Sequence, residues 1–128
     1  MRLLLDTHIA LWALADDARL PARGRELIAD EDNHIAVSAA SVWEIAIKHS
    51  LGRGDMPITG AQALRWFRRA GYARLDIKPE HAVAVEKLPP LHADPFDRLL
   101  VAQALTEPLR LLTHDKAVAR YSNAIELL

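Results

Sequence analysis

The chain contains no cysteine. A disulfide framework and a thiolate metal site are both excluded. The absence suits a reducing compartment, and a cytoplasmic location is expected. No apolar run approaches the roughly 18 residues of a membrane-spanning helix, so no membrane partner is expected. The opening Met1-Arg2-Leu3-Leu4-Leu5 resembles a signal peptide for a few residues only, and Asp6 ends it. An excess of charge is missing too. The net charge is −1, so charge alone names no nucleic-acid partner. The six histidines show neither HExxH nor HxH spacing, which favours scattered surface or structural roles. Repeats and low-complexity segments are absent.

What is present is an alternation. At 128 residues the chain has the length of one domain with a proper core, so residues 1–128 are expected to form a single domain. Leu3–Leu5 is a continuous apolar run of the kind a buried parallel strand shows. Further strands are expected over residues 35–37, 73–77, 109–112 and 124–127. Helices are expected between them. Thr7 can cap a helix over residues 8–15, and Leu20-Pro21 opens a second to about Asp30. Ser38 directly follows a strand and caps a helix ending near Leu51-Gly52. Gly52 to Gly60 reads as a loop, residues 61–70 as a helix stopped by Gly71, and Pro79 starts a short helix to Lys87. Pro89-Pro90 breaks it. Asp94 is a good N-cap and Pro95 suits the first helical position of a helix ending at Pro108. Residues 116–120 form a last short helix. The order predicts an α/β fold with a mainly parallel sheet of about five strands and helices on both faces.

The acids stand out against this frame. Asp6 follows the first strand, Glu44 lies on the helix after the second, and Asp115 follows Leu109-Arg110-Leu111-Leu112. Asp94 and Asp97 lie at the start of the helix opened by Pro95. Each has a structural reading. Ser41-Val42-Trp43-Glu44 fits a capping box, Asp115 can cap the last helix, and Asp97 sits near the positive end of a helix dipole. Jointly these readings weaken. Parallel strands would bring their C-terminal ends, and the acids, to one edge of the sheet, where ligands bind in open α/β folds. Crowded carboxylates repel, and a divalent cation relieves them. Oxygen ligands suit Mg²⁺ or Mn²⁺, and such a site suits phosphodiester hydrolysis. Thr7 and Thr113 stand beside Asp6 and Asp115 and can orient them. Arg65, Arg68 and Arg69 share a helix face that reads as solvated; a path for an RNA backbone is the alternative. Of Trp12, Trp43 and Trp66, only Trp43 is expected near the acids. Leu11, Trp12 and Trp66 exceed one inward face, which predicts a groove along the helices of residues 8–30 and 61–70.

Four blocks carry a family resemblance: Leu5-Asp6-Thr7-His8; Ser38-Ala-Ala-Ser41-Val42-Trp43-Glu44-Ile45; His92-Ala-Asp94-Pro95-Phe96-Asp97-Arg98-Leu99-Leu100-Val101-Ala102-Gln103-Ala104; and Leu112-Thr113-His114-Asp115. Together they resemble a PIN domain, and more closely the toxin of a VapBC-type toxin–antitoxin pair. The resemblance spans the whole chain. It implies a PIN-like α/β/α sandwich and a Mg²⁺- or Mn²⁺-dependent ribonuclease. Its acidic residues fall on Asp6, Glu44, Asp97 and Asp115, with Asp94 as a nearby auxiliary. It also implies a homodimer acting on RNA and a small antitoxin whose C-terminal segment occupies the groove near the acids. Two alternatives are a non-catalytic RNA-binding PIN domain and a phospho-receiver-like domain using Asp76. Intact acids oppose the first. The second lacks an acidic pair after the first strand and leaves Glu44 and Asp97 unexplained.

Overall fold

The computed structural model describes residues 1–52 and 55–128. Among them run β1 (Arg2–Leu5), α1 (Thr7–Leu14), α2 (Ala22–Ala29), β2 (His34–Ser38), α3 (Ala39–Ser50), α4 (Gly60–Arg69), β3 (Ala73–Leu75), α5 (Pro79–Ala84), α6 (Pro95–Thr106), β4 (Arg110–Thr113), α7 (Lys116–Ala119) and β5 (Glu126–Leu127). A single 3₁₀ turn, Val85–Lys87, follows α5.

The strands form one sheet in the order β3-β2-β1-β4-β5, and every pairing is parallel. From β1 the chain builds outward through β2 and β3 on one side, then returns to place β4 and β5 on the other. The reversal lies between β1 and β4, where α/β sheets open a crevice at their carboxyl edge.

Alternation along β1 divides the core. Leu3 and Leu5 join Ile9, Leu27, Val37, Ile45, Phe67 and Leu112 on one face. Leu4 joins Leu100, Val101, Leu111 and Val118 on the other. Helices therefore cover both faces, and Leu3, Leu4 and Leu5 are all fully buried. A strand buried on both sides needs this unbroken apolar run.

The helix starts follow from capping chemistry. The Ser38 hydroxyl accepts from the Ala40 amide, so α3 begins a turn before Ser41 and Glu44 is not drawn into a capping box. Asp94 accepts from the Phe96 and Asp97 amides, with Pro95 as the first helical residue. One expectation is corrected. Asp6, not Thr7, caps α1, accepting from the Ile9 amide. Thr7 is inside the helix and buried, which frees its hydroxyl for the site.

Two strands are shorter than expected, β3 ending at Leu75 and β5 beginning at Glu126. Of the expected Gly52–Gly60 loop, Arg53 and Gly54 lie outside the described residues. Met56 and Ile58 from that segment are buried in the core. Gly60 marks a close approach of α4 to α3, since a Cβ there would lie 2.8 Å from Ala46 Cβ.

Candidate active site at the carboxyl edge of the sheet

Asp6, the residue after β1, is held at both oxygens. Oδ1 accepts from the Ile9 amide at 2.9 Å, and Oδ2 accepts from Thr113 Oγ1 at 2.5 Å. Thr113 ends the neighbouring strand β4, so the tie crosses the topological reversal. Burial raises the Asp6 pKa against the lowering pull of these hydrogen bonds.

Glu44 is 3% exposed on α3. Its Oε1 accepts from Thr7 Oγ1 at 2.7 Å, and its Oε2 meets Lys48 Nζ at 2.6 Å, one helical turn along. Thr7 Oγ1 also lies 3.0 Å from Ser41 Oγ. A hydroxyl carries one proton, so with that of Thr7 given to the carboxylate, Ser41 supplies the proton of this second contact. Burial works against the Lys48 charge, but the Glu44 carboxylate outweighs it and raises the lysine pKa.

Asp97 sits in the first turn of α6 and Asp115 at the cap of α7, where its Oδ1 accepts from the Ala117 and Val118 amides. Between them stands His92. Its Nε2 lies 3.0 Å from Asp115 Oδ2, in hydrogen-bond geometry, and 3.1 Å from Asp97 Oδ2. One donor atom from each of His92, Asp97 and Asp115 can be chosen so that all lie within 4.8 Å of one another. Asp6 and Glu44 stand outside this tight trio. They are joined to it by electrostatics and by bridging hydroxyls: Thr113 Oγ1 accepts from the Asp115 amide while donating to Asp6.

The charges around Asp97 show how crowded the edge is. Burial, then the charges of Asp94, Asp6 and Glu44, push its pKa up to about 7. Asp115 goes the other way. Burial would raise it, but hydrogen bonds from His92 and from the Ala117 and Val118 amides prevail and lower it.

Beside the acids opens a cleft of about 490 Å³, lined by Asp6, His8, Trp12, His114, Asp115 and Lys116. The Trp12 ring meets His114 edge-on at 5.4 Å and has the Arg19 guanidinium 5.3 Å from its centroid. This corrects the placement of the tryptophans, because Trp12 as well as Trp43 borders the site. Trp43 is more than half exposed and meets Phe96, the neighbour of Asp97, at 5.0 Å. Asp76 is exposed and paired with Arg74, with no part in the acid cluster. Arg65, Arg68 and Arg69 are exposed on α4, as a solvated face would be.

His92 and Lys48 are site residues that sequence reasoning missed. His92 reaches the acids by folding, across 23 residues, and not through any metal-motif spacing. Its position two residues before the Asp94 cap was the available signal.

The PIN domain family profile matches residues 3–124. The chain belongs to the PIN domain family. Ribonuclease VapC22 of Mycobacterium tuberculosis is 34% identical over 116 residues, which cover 88% of this chain and 86% of that protein. Among solved structures, a chain of VapBC2 from Rickettsia felis, bound to a DNA fragment from their promoter, superposes with a TM-score of 0.73. It is 21% identical, and the match covers 100% of this chain and 99% of that one. A chain of the DNA-bound VapBC from Salmonella typhimurium gives a TM-score of 0.67 at 14% identity, covering 100% and 97%. At these identities the structural likeness speaks for the fold alone.

The donor chemistry of this PIN domain fits a divalent cation. Four carboxylates face one edge, with Asp97 raised by burial and by its acidic neighbours, and among the described residues only Glu44 has a lysine on it. Oxygen donors of this kind suit a hard ion such as Mg²⁺ or Mn²⁺. Asp97 and Asp115, whose Oδ2 atoms converge beside His92, are placed to share it.

Proposed function

We propose that this PIN domain is a divalent-metal-dependent endoribonuclease, the toxin of a type II toxin–antitoxin pair, acting in the cytoplasm as a single domain over residues 1–128. Asp6, Glu44, Asp97 and Asp115 form the catalytic and metal-binding set, with Thr7, Asp94 and Thr113 as auxiliaries and Mg²⁺ or Mn²⁺ as the cofactor. RNA is the substrate, a cognate antitoxin the inhibitor, and a homodimer the working form. The observation that carries this reading is the convergence of the acids at the reversal point of a parallel sheet, with the Asp97 pKa lifted to about 7. The 34% identity to a protein named as a ribonuclease supports it.

A cation bound there would polarise the scissile phosphate and lower the pKa of a bound water. The chain's own residues supply position. Thr113 and the Ile9 amide hold Asp6, Thr7 and Lys48 hold Glu44, and the Asp94 cap sets the first turn that carries Asp97. The cleft gives the strand a route to the acids. Lys116 can meet a phosphate there, and the rings of Trp12, His8 and His114 offer surfaces to bases.

The purified chain, freed of any antitoxin, is expected to cut single-stranded or looped RNA with Mg²⁺ or Mn²⁺ and to stop on addition of a chelator. Equal cleavage in chelator would sink the metal-dependent reading.

A further inference from the structure

Resting on the proposed metal-dependent function, we infer that His92 is a positioning residue which aims Asp115, beside Asp97, through a proton on Nε2, and is not itself a ligand.

Which ring nitrogen carries the proton follows from the hydrogen bonds on each side. The Asp94 amide donates to His92 Nδ1 at 3.2 Å. An amide N–H can only donate, so Nδ1 is the bare nitrogen and accepts. In the neutral ring the proton is then on Nε2, the atom 3.0 Å from Asp115 Oδ2 and 3.1 Å from Asp97 Oδ2. A nitrogen bearing a proton has no lone pair for a cation. To ligate through Nε2 with Nδ1 still accepting from Asp94, the ring would have to become an imidazolate.

The backbone holds the ring in this role. The His92 amide donates to Tyr121 Oη at 3.0 Å, and Arg98 donates to the same oxygen at 2.9 Å. Arg98 also donates to the carbonyls of Pro89 at 3.0 Å and Val85 at 3.2 Å. The segment leading into His92 is thus tied to α6 and to Tyr121. A carboxylate oxygen has two lone pairs, so Asp115 Oδ2 can take the imidazole proton on one and face a cation with the other. Three donor atoms lie within 4.8 Å of one another, yet the Asp94 amide reduces the usable set to oxygen. That is the set Mg²⁺ and Mn²⁺ prefer, whereas an added imidazole would favour Zn²⁺, Cu²⁺, Fe²⁺ or Ni²⁺.

The test uses Mn²⁺ alone, with the full chain. Affinity is measured by calorimetry and the coordination shell by pulsed electron paramagnetic resonance. Wild type is expected to bind Mn²⁺ with no directly coordinated ¹⁴N. His92→Gln keeps an N–H at similar reach and is expected to stay near wild-type affinity. His92→Ala is expected to bind about 10–100-fold more weakly. A directly bound ¹⁴N in wild type that disappears in His92→Gln would make His92 a ligand and overturn the inference. Unchanged affinity in His92→Ala would overturn it as well, leaving the metal-dependent reading intact. Wild type that binds no Mn²⁺ would overturn both. Should His92→Ala fail to fold, the wild-type spectrum and the His92→Gln affinity still decide.

Discussion

Asp97 is where stability and function pull apart. Its carboxyl is pushed up to about 7, chiefly by burial, from an ordinary value of 3.8. Between those values the folded chain holds a proton that the unfolded chain has released. The unfolded state therefore binds fewer protons, and stability falls as pH rises through that window. In chelator, wild type is expected to lose stability from about pH 4 to pH 7, and Asp97→Asn to lose less. At pH 8 without metal, Asp97→Asn is expected to melt higher than wild type, by roughly 1–4 kcal/mol in unfolding free energy, since each pH unit is worth about 1.4 kcal/mol. The same variant is expected to abolish RNA cleavage with Mg²⁺. If Asp97 only served the helix dipole, Asn would instead cost ~0.3–1 kcal/mol and leave cleavage untouched. Melting curves over pH, alongside cleavage rates, separate the two.

The elements around the site show which local codes are strong. Asp94 both caps α6 and adds negative charge beside Asp97. The two roles can be parted. Asp94→Ser keeps a cap and removes the charge, so metal-free stability should hold or rise. Asp94→Ala removes the cap too and should cost about 1 kcal/mol relative to Asp94→Ser. Chemical denaturation of the pair in chelator reads this directly. A second network ties α5 and α3 to α6 away from the acids. Ser38 Oγ donates to Gln103 Oε1 at 2.6 Å, and buried His81 meets Glu107 at 2.5 Å through Nε2, its Nδ1 accepting from the Lys78 amide. Gln103 is fully buried. Gln103→Leu would strand the Ser38 hydroxyl and is expected to cost about 1–3 kcal/mol, with little change in the metal affinity of the folded protein.

At the scale of the whole molecule, the expected partner groove is the surface to test. Leu11 and Trp12 pack partly against the core, and Trp66 is 37% exposed on α4. The apolar excess is therefore smaller than the bare sequence suggests, and Trp12 is turned to the cleft as well. With a cognate antitoxin bound, α1, α2 and α4 are expected to gain protection in amide hydrogen exchange. Protection confined to α5 and the β3 edge would place the partner elsewhere. In the same complex RNA cleavage is expected to fall, because the cleft beside α1 shares Asp6 and Asp115 with the acid site.

Much of this architecture was already legible in short-range chemistry. Leu3-Leu4-Leu5 reads as a strand buried on both faces because no polar residue interrupts it. Ser38 and Asp94-Pro95 read as helix starts because a cap is satisfied within two or three residues of itself. Parallel strands follow from the alternation; parallelism carries Asp6 and Asp115 toward one edge, and the Ser38 cap sets the helix that brings Glu44 there. What only the tertiary structure decided are the contacts spanning large separations. Thr113 reaches Asp6 across 107 residues, Thr7 reaches Glu44 across 37, and His92 reaches Asp115 across 23. The choice of Asp6 over Thr7 as the α1 cap is settled there too, since the Thr7 hydroxyl is drawn to Glu44 on another helix. Local pattern records what a residue can satisfy among its neighbours in sequence. The partner a buried polar group finds depends on what packing brings beside it.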